Sequence, residues 1–118
     1  MPLLTKLITY LLKKNGIEQM KAQEKDESID FRPVVKLYTP DAQAVWLLTE
    51  ILPKESDIAF GLCDLGLQSP ELGYVSLLEL QSIRGRLGLP IERDRYFKAE
   101  KPLSEYLAQA QTAGRIVT

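Results

Sequence analysis

The sequence predicts an α+β fold, in which a small antiparallel three-stranded meander carries an N-terminal helix, a capped middle helix and a C-terminal helix. Three observations predict it. The chain opens with apolar residues at helical spacing, its middle holds three apolar runs of strand length, and its last third holds two helix-like segments that end at glycines. A chain of 118 residues fits a single domain, in which residues 31–113 are expected to form the α+β core.

Residues 1–16 are expected to form an amphipathic helix. Apolar side chains recur there at steps of three and four, which places them on one helix face: Leu3, Leu4, Leu7, Ile8, Leu11 and Leu12. The dipeptide Asn15-Gly16 supplies the left-handed residue that ends a helix. Residues 17–30 form a charged linker, which is expected to be mobile or to be a solvated extension of the helix.

Three strands are predicted between residues 31 and 65. The first follows Pro33 and ends at a turn over residues 39–41. The second, residues 44–52, is apolar on both alternating faces, which is typical of a central strand covered on two sides. The third, residues 58–65, follows a hairpin turn, and its Gly61 indicates a bulge or close packing.

Residues 71–97 organise the second half of the chain. Residues 71–75 are expected to lead into a helix at Ser76, where Ser76 and Glu79 have the spacing of a capping box. Arg84-Gly85 is expected to end that helix, and residues 91–97 to follow as an extended segment. Residues 102–113 predict the last helix, with Gly114 as its stop.

Composition excludes several kinds of chemistry. The chain has no histidine and one cysteine, which removes histidine-based nucleophile systems, histidine and thiolate zinc sites, and an internal redox pair. The lone cysteine, Cys63, lies in an apolar run and indicates a reducing compartment, so we expect a cytoplasmic protein. No apolar run is long enough to span a bilayer, and no cofactor is predicted.

A basic cluster is the first candidate site. Arginines and aromatic residues alternate here, and we name as candidate binding residues Arg84, Arg86, Arg93, Arg95, Tyr96, Phe97 and Tyr74. This composition is used both in protein hot spots and to hold single-stranded nucleic acid. Alternatively, Glu92 and Asp94 consume the positive charge in an internal lattice of ion pairs.

Acidic side chains are the second candidate. Glu50, Asp64 and Glu71, with Asp57, come from neighbouring elements, so two or three of them could converge. Three carboxylates suit Mg²⁺ or Mn²⁺ and metal-assisted phosphodiester hydrolysis. The alternative is that these acids face water at edges and turns, and no metal-binding spacing motif supports the site.

Parts of the chain resemble a known family. The similarity spans roughly residues 31–107. It is carried by the first predicted strand, Trp46, Thr49-Glu50, Phe60-Gly61-Leu62, Glu71-Leu72-Gly73-Tyr74, Ser76-Leu77, Glu79-Leu80, Arg84-Gly85, the run from Leu87 to Asp94, and Tyr96-Phe97. These residues resemble the domain of unknown function 2958 family, small bacterial proteins often encoded on plasmids, integrative elements and phages. The resemblance implies that setting and assigns no site.

The function predicted from the sequence is therefore binding rather than catalysis. We expect a non-enzymatic accessory protein of a mobile genetic element that binds a protein partner through residues 84–97. A single-strand nucleic-acid-binding module and a carboxylate-based metal hydrolase are the alternatives. Neither the partner nor the oligomeric state follows from the sequence.

Overall fold

A single antiparallel sheet runs through the structure, a computed structural model that describes residues 3–118. Its strands are β1 (Val35–Tyr38), β2 (Val45–Leu52), β3 (Glu55–Asp64), β4 (Glu71–Ser76) and β5 (Glu92–Arg93), in the order β4-β3-β2-β1-β5. Three helices complete the fold: α1 (Lys6–Gln23), α2 (Leu77–Ser82) and α3 (Leu103–Ala113). The α+β class is confirmed, while the sheet has five strands and extends the predicted three-stranded meander by one strand on each side.

Apolar side chains cover both faces of the sheet. One layer lies under α1 and comprises Leu12, Val35, Leu37, Trp46, Leu48, Ile51, Ala59, Leu80 and Ile91. The other lies under α3 and comprises Leu47, Leu62, Leu103, Tyr106, Ala110 and Ile116. Because β2 contributes to both layers, it is the central strand expected from its continuous apolar run.

The predicted end of the first helix at Asn15-Gly16 is wrong. The helix begins at Lys6, after Thr5, whose hydroxyl accepts a hydrogen bond from the Ile8 amide at 3.1 Å, and it continues to Gln23. Residues 3–5 of the predicted helix are therefore not helical, and residues 1–2 lie outside the described residues. A Cβ at Gly16 would lie 1.8 Å from the Ile51 carbonyl oxygen, so glycine here permits close contact with β2. Asn15 also reaches β2, where its side-chain amide donates to the Thr49 carbonyl at 2.9 Å.

Two alternatives were expected for residues 17–30, a mobile linker or an extension of the helix. Residues 17–23 extend the helix, and the chain that follows is hydrogen-bonded to it. The Gln19 side chain both donates to the Ile29 carbonyl (2.8 Å) and accepts from the Ile29 amide (2.9 Å). The next residue, Asp30, accepts hydrogen bonds from the amide (3.1 Å) and the hydroxyl of Ser104. Asp30 therefore caps the start of α3, where Pro102 has no side chain that can do so.

A β-bulge redirects the side chains in the second half of β2. Leu48 pairs with Gly61 and Glu50 pairs with Phe60, so Thr49 is the extra residue. The bulge turns Ile51 into the layer under α1 and Glu50 to the face of Phe60. Gly61 marks close packing rather than the bulge itself, because a Cβ there would lie 2.0 Å from the Leu47 carbonyl oxygen.

Residues 71–76 form a strand, and the predicted approach to a helix over residues 71–75 is wrong. Their alternating pattern lets them pair in regular register with β3, from Ile58↔Ser76 to Cys63↔Glu71. Ser76 ends the strand and caps α2, accepting from the Glu79 amide at 3.2 Å as expected. Its hydroxyl donates to Asp57 at 2.5 Å.

The two remaining helix ends differ in outcome. Helix α2 ends at Ser82 rather than at Gly85, since Ile83 is already extended with a ψ of 138°. Gly85 instead packs on Asp41, whose Oδ1 would lie 1.6 Å from an added Cβ. Helix α3 ends as predicted at Gly114, which adopts a left-handed conformation with φ of 78°. Within residues 3–118, no helix combines the length and apolar character needed to traverse a bilayer.

Candidate functional site

Residues 84–97, called the arginine surface from here on, follow α2 and end beyond β5. The first part folds back on itself: the Gly85 amide donates to the Leu89 carbonyl at 3.0 Å, and Gly88 adopts a φ of 80° at the turn. The Asp41 carboxylate, from the turn between β1 and β2, accepts from the amides of Leu87 (2.6 Å) and Leu89 (3.3 Å). The loop is therefore held in place by a residue far away in sequence.

Three of the four candidate arginines line one cavity of about 550 Å³ beside β5. Its lining residues are Leu3, Gln81, Arg84, Pro90, Ile91, Glu92, Arg93 and Arg95. A second cavity, of about 290 Å³, shares Arg93 and Arg95 and reaches the start of α1 at Thr5. Arg86 is exposed on the loop and lines neither cavity.

The positive charge of these arginines is not consumed internally. Among residues 3–118 the ion pair found is Lys36–Asp94 at 3.6 Å, and none of the four arginines takes part in one. Arg93 instead donates to the Leu3 carbonyl at 2.6 Å, and Arg84 donates to the carbonyls of Gln81 and Ile83, each at 2.9 Å. The alternative lattice with Glu92 and Asp94 is thus absent from the described residues, and the guanidinium groups of Arg84 and Arg93 are positioned by neutral carbonyls.

The aromatic candidates separate. Tyr96 is 94% exposed beside Arg95, whereas Phe97 packs towards Tyr106 with ring centroids 6.3 Å apart. Tyr74 lies on β4 at the opposite edge of the sheet, beside Phe60 with centroids 5.0 Å apart. The structure therefore does not bring Tyr74 to the arginines, because residues 71–76 form an edge strand with the rest of the sheet between them and β5.

Sequence reasoning missed the apolar part of this surface. Leu87 is 80% exposed at the tip of the loop, and Leu89 and Ile83 nearby are also exposed. The alternation of leucine with glycine and proline over residues 87–90 was a signal for an exposed apolar loop. Leu3 and Gln81 join the cavity through tertiary contacts, for which the local sequence carries no signal.

The acidic candidates lie apart, and most have structural partners. Asp64 is buried and accepts from the amides of Gly66 and Ile116, each at 2.9 Å. Asp57 accepts from Ser76 and from the Leu78 amide at the start of α2. Glu71 is exposed on β4, and no group of three potential metal-ligating side chains occurs within residues 3–118. The described residues do not bring these carboxylates together.

Two titratable groups have perturbed acidities. Burial raises the pKa of Glu50 above its ordinary value of 4.5, and a hydrogen bond from Thr49 (3.1 Å) opposes that shift. Burial, aided by the negative charge of Glu71, raises the pKa of Cys63 to about 11. Cys63 therefore stays a neutral thiol at neutral pH.

Comparisons with known proteins identify a family. A family model described as "Protein of unknown function (DUF2958)" matches residues 7–117, which also takes in the N-terminal helix that the sequence resemblance left out. No curated protein and no solved structure shows a significant match. The matched region covers nearly the whole chain, so the protein belongs to the domain of unknown function 2958 family.

Proposed function

We propose that this protein is a non-enzymatic accessory factor that binds an acidic protein partner through the arginine surface. The mobile-element setting implied by the family resemblance is part of the same proposal. The observation that carries it is the cavity beside β5, where Arg84, Arg93 and Arg95 meet without an ion-pair partner among the described residues.

Unpaired guanidinium groups favour a ligand with carboxylates. Guanidinium binds carboxylate through paired hydrogen bonds, and Arg84 and Arg93 are already oriented by backbone carbonyls. Fewer degrees of freedom are then lost when an anionic group binds. Part of the cavity wall is apolar, since Leu3, Pro90 and Ile91 also line it.

The exposed apolar side chains favour a protein over a nucleic acid. Leu87, Leu89 and Tyr96 are exposed within the same segment as the arginines. Arginine and tyrosine are both enriched in protein hot spots, and the leucines add apolar area that a folded partner could cover. Binding of a single strand instead relies on successive stacked aromatic rings. Here Phe97 is committed to the α3 layer and Tyr74 lies at the other edge, which leaves Tyr96 as the one candidate aromatic beside the arginines.

Capture of partners from the native host by the full chain tests the proposal. Arg86→Glu with Arg95→Glu reverses two exposed charges and should weaken the captured partner's affinity at least about tenfold, the effect of one hot-spot interaction. Lys21→Glu with Lys25→Glu makes the same charge change at exposed positions on and just after α1 and should leave binding unchanged.

Equal capture by the wild-type chain and the folded arginine variant would overturn the proposal. Loss of binding in both variants would show a general charge effect and would overturn it as well. Recovery of an oligonucleotide in place of a protein would favour the single-strand alternative.

A further inference from the structure

The outer edge of β4 differs from the other edge of the sheet. Strand β5 is two residues long and carries Glu92 and Arg93, so it is short and charged, as protected sheet edges usually are. Strand β4 has six residues in regular register with β3, contains no proline or bulge, and carries one charged side chain, Glu71, at its first position. The amide and carbonyl groups on its outer edge can form hydrogen bonds only with water or with another extended chain.

Gly73 lies at the centre of this strand without an internal reason to be glycine. Its φ is not in the left-handed region, and an added Cβ would meet the Cys63 sulfur at 4.0 Å, an ordinary contact. Glycine in a strand interior weakens the strand and often marks the place where another backbone approaches closely. Among residues 3–118, Gly16 and Gly61 have such a neighbour, whereas Gly73 does not.

Exposed apolar side chains surround the same strand. Within it, Leu72 and Tyr74 share the face of Phe60, and Tyr74 is 62% exposed. Leu67, 76% exposed, lies in the loop before β4, and Leu78, 68% exposed, lies on α2 directly after it. An apolar group therefore stands at each end and in the middle of one short segment.

We propose that the β4 edge is a self-association surface, on which a second copy of this chain adds its own β4 antiparallel about a two-fold axis at Gly73. This register faces Gly73 with Gly73 and pairs Leu72 of each copy with Tyr74 of the other. It also brings the loop that bears Leu67 next to the start of α2 that bears Leu78. The segment is complementary to itself, which is the condition for a two-fold interface and the reason for assigning a second copy as its occupant.

Molar mass in solution, measured by light scattering and sedimentation over a range of concentrations, tests the proposal. The full chain should approach twice its 13.4 kDa as concentration rises. Leu72→Lys with Tyr74→Lys places like charges opposite each other across both pairs and should give a single-chain mass. Leu72→Lys with Tyr74→Glu places opposite charges there and should restore the dimer.

Leu87→Lys with Tyr96→Lys is the matched control. It also changes an exposed leucine and an exposed tyrosine, but near β5 at the opposite edge of the sheet. This control should retain the dimer. A single-chain mass for the wild type at every concentration overturns the proposal, as does a mass that grows beyond two copies. A dimer that survives the double lysine change, or that the lysine–glutamate pair does not restore while circular dichroism shows a folded chain, overturns this interface.

Discussion

At the scale of single residues, Glu50 stands out because it is a buried glutamate, whereas glutamate side chains usually face water. The bulge at Thr49 turns it towards Phe60, and 6% of its surface remains exposed. Thr49 donates to one carboxylate oxygen at 3.1 Å, which relieves part of the cost of burying the charge. Burial still dominates, so the pKa of Glu50 in the folded state lies above its ordinary value of 4.5.

Replacing Glu50 with glutamine should therefore stabilise the protein at neutral pH. Because folding raises the pKa of Glu50, the wild-type carboxyl contributes its full stabilisation at pH values below its ordinary pKa of 4.5. That contribution is lost as the pH rises through the higher pKa of the folded state. Glutamine keeps an acceptor for Thr49 and carries no charge. Glu50→Gln should raise Tm at pH 7, and the difference from wild type should shrink towards pH 4 in thermal unfolding followed by circular dichroism.

Glu18→Gln is the control for this prediction, because Glu18 is exposed on α1 and the substitution removes the same charge. An equal rise in Tm for both variants would show that overall charge, and not burial of Glu50, is responsible. A difference that stays constant between pH 7 and pH 4 would contradict the assigned cause.

At the scale of elements, α1 and the central strand approach each other closely enough for backbone to meet backbone. Gly16 brings the helix backbone against the Ile51 carbonyl, and Asn15 donates to the neighbouring Thr49 carbonyl. The Thr49 contact falls at the bulge, and the Ile51 contact falls just before a second break in the register, between Ile51 and Leu52. The helix thus satisfies a carbonyl at this irregularity while it covers the apolar layer beneath.

Substitution at Gly16 should separate these two elements. Gly16→Ala improves helix propensity by about 1 kcal/mol, but its methyl group would lie 1.8 Å from the Ile51 oxygen and must push the helix away. We expect a net loss of about 1–3 kcal/mol in the free energy of unfolding, as for overpacked cores. Urea denaturation at low protein concentration, where single chains predominate, measures this change. Gly73→Ala should cost far less there, because its Cβ would meet the Cys63 sulfur at an ordinary 4.0 Å.

The sequence predicted elements whose signals are local and misplaced those decided by distant contacts. Ser76 caps α2 through the amide of Glu79, three residues away, and Gly114 ends α3 through its own left-handed φ. Both positions were predicted correctly. Gly16 and Gly85 looked like helix stops, yet each is glycine because of a contact made by a distant residue, Ile51 or Asp41.

The same distinction applies to the candidate site. Proximity in sequence was enough to group Arg84, Arg93 and Arg95. It could not place Tyr74, because the side of the sheet on which an edge strand lies is set by the order of all five strands. Nor could it show that the acidic candidates were already engaged, since the partners of Asp64 include the Ile116 amide, 52 residues away.

At the scale of the whole molecule, charge is distributed unevenly over a chain with a net charge of −1. Residues 84–101 hold six bases against three acids, whereas residues 33–83 hold seven acids against two bases. A locally basic surface on a weakly acidic protein suits a small acidic patch of a partner better than a long polyanion, which would also meet the acidic regions.

Single-stranded oligonucleotides should therefore bind weakly and without dependence on the arginine surface. Fluorescence anisotropy with a labelled single-stranded oligonucleotide should give the same signal for the wild type and for Arg86→Glu with Arg95→Glu at physiological salt. Affinity that falls steeply with salt and disappears in the double variant would instead support nucleic-acid binding.

The segment that connects α1 to β1 has a consequence for how the molecule comes apart. Gln19 of α1 forms two hydrogen bonds with Ile29 in this segment, and the next residue, Asp30, caps α3 on the other face of the sheet. Helices α1 and α3 are thus hydrogen-bonded to two adjacent residues of the same connecting segment. Fraying at the start of α3 should therefore weaken the hydrogen bonds between this segment and α1. We expect both layers to belong to one cooperative unfolding unit, although the sheet separates their apolar cores.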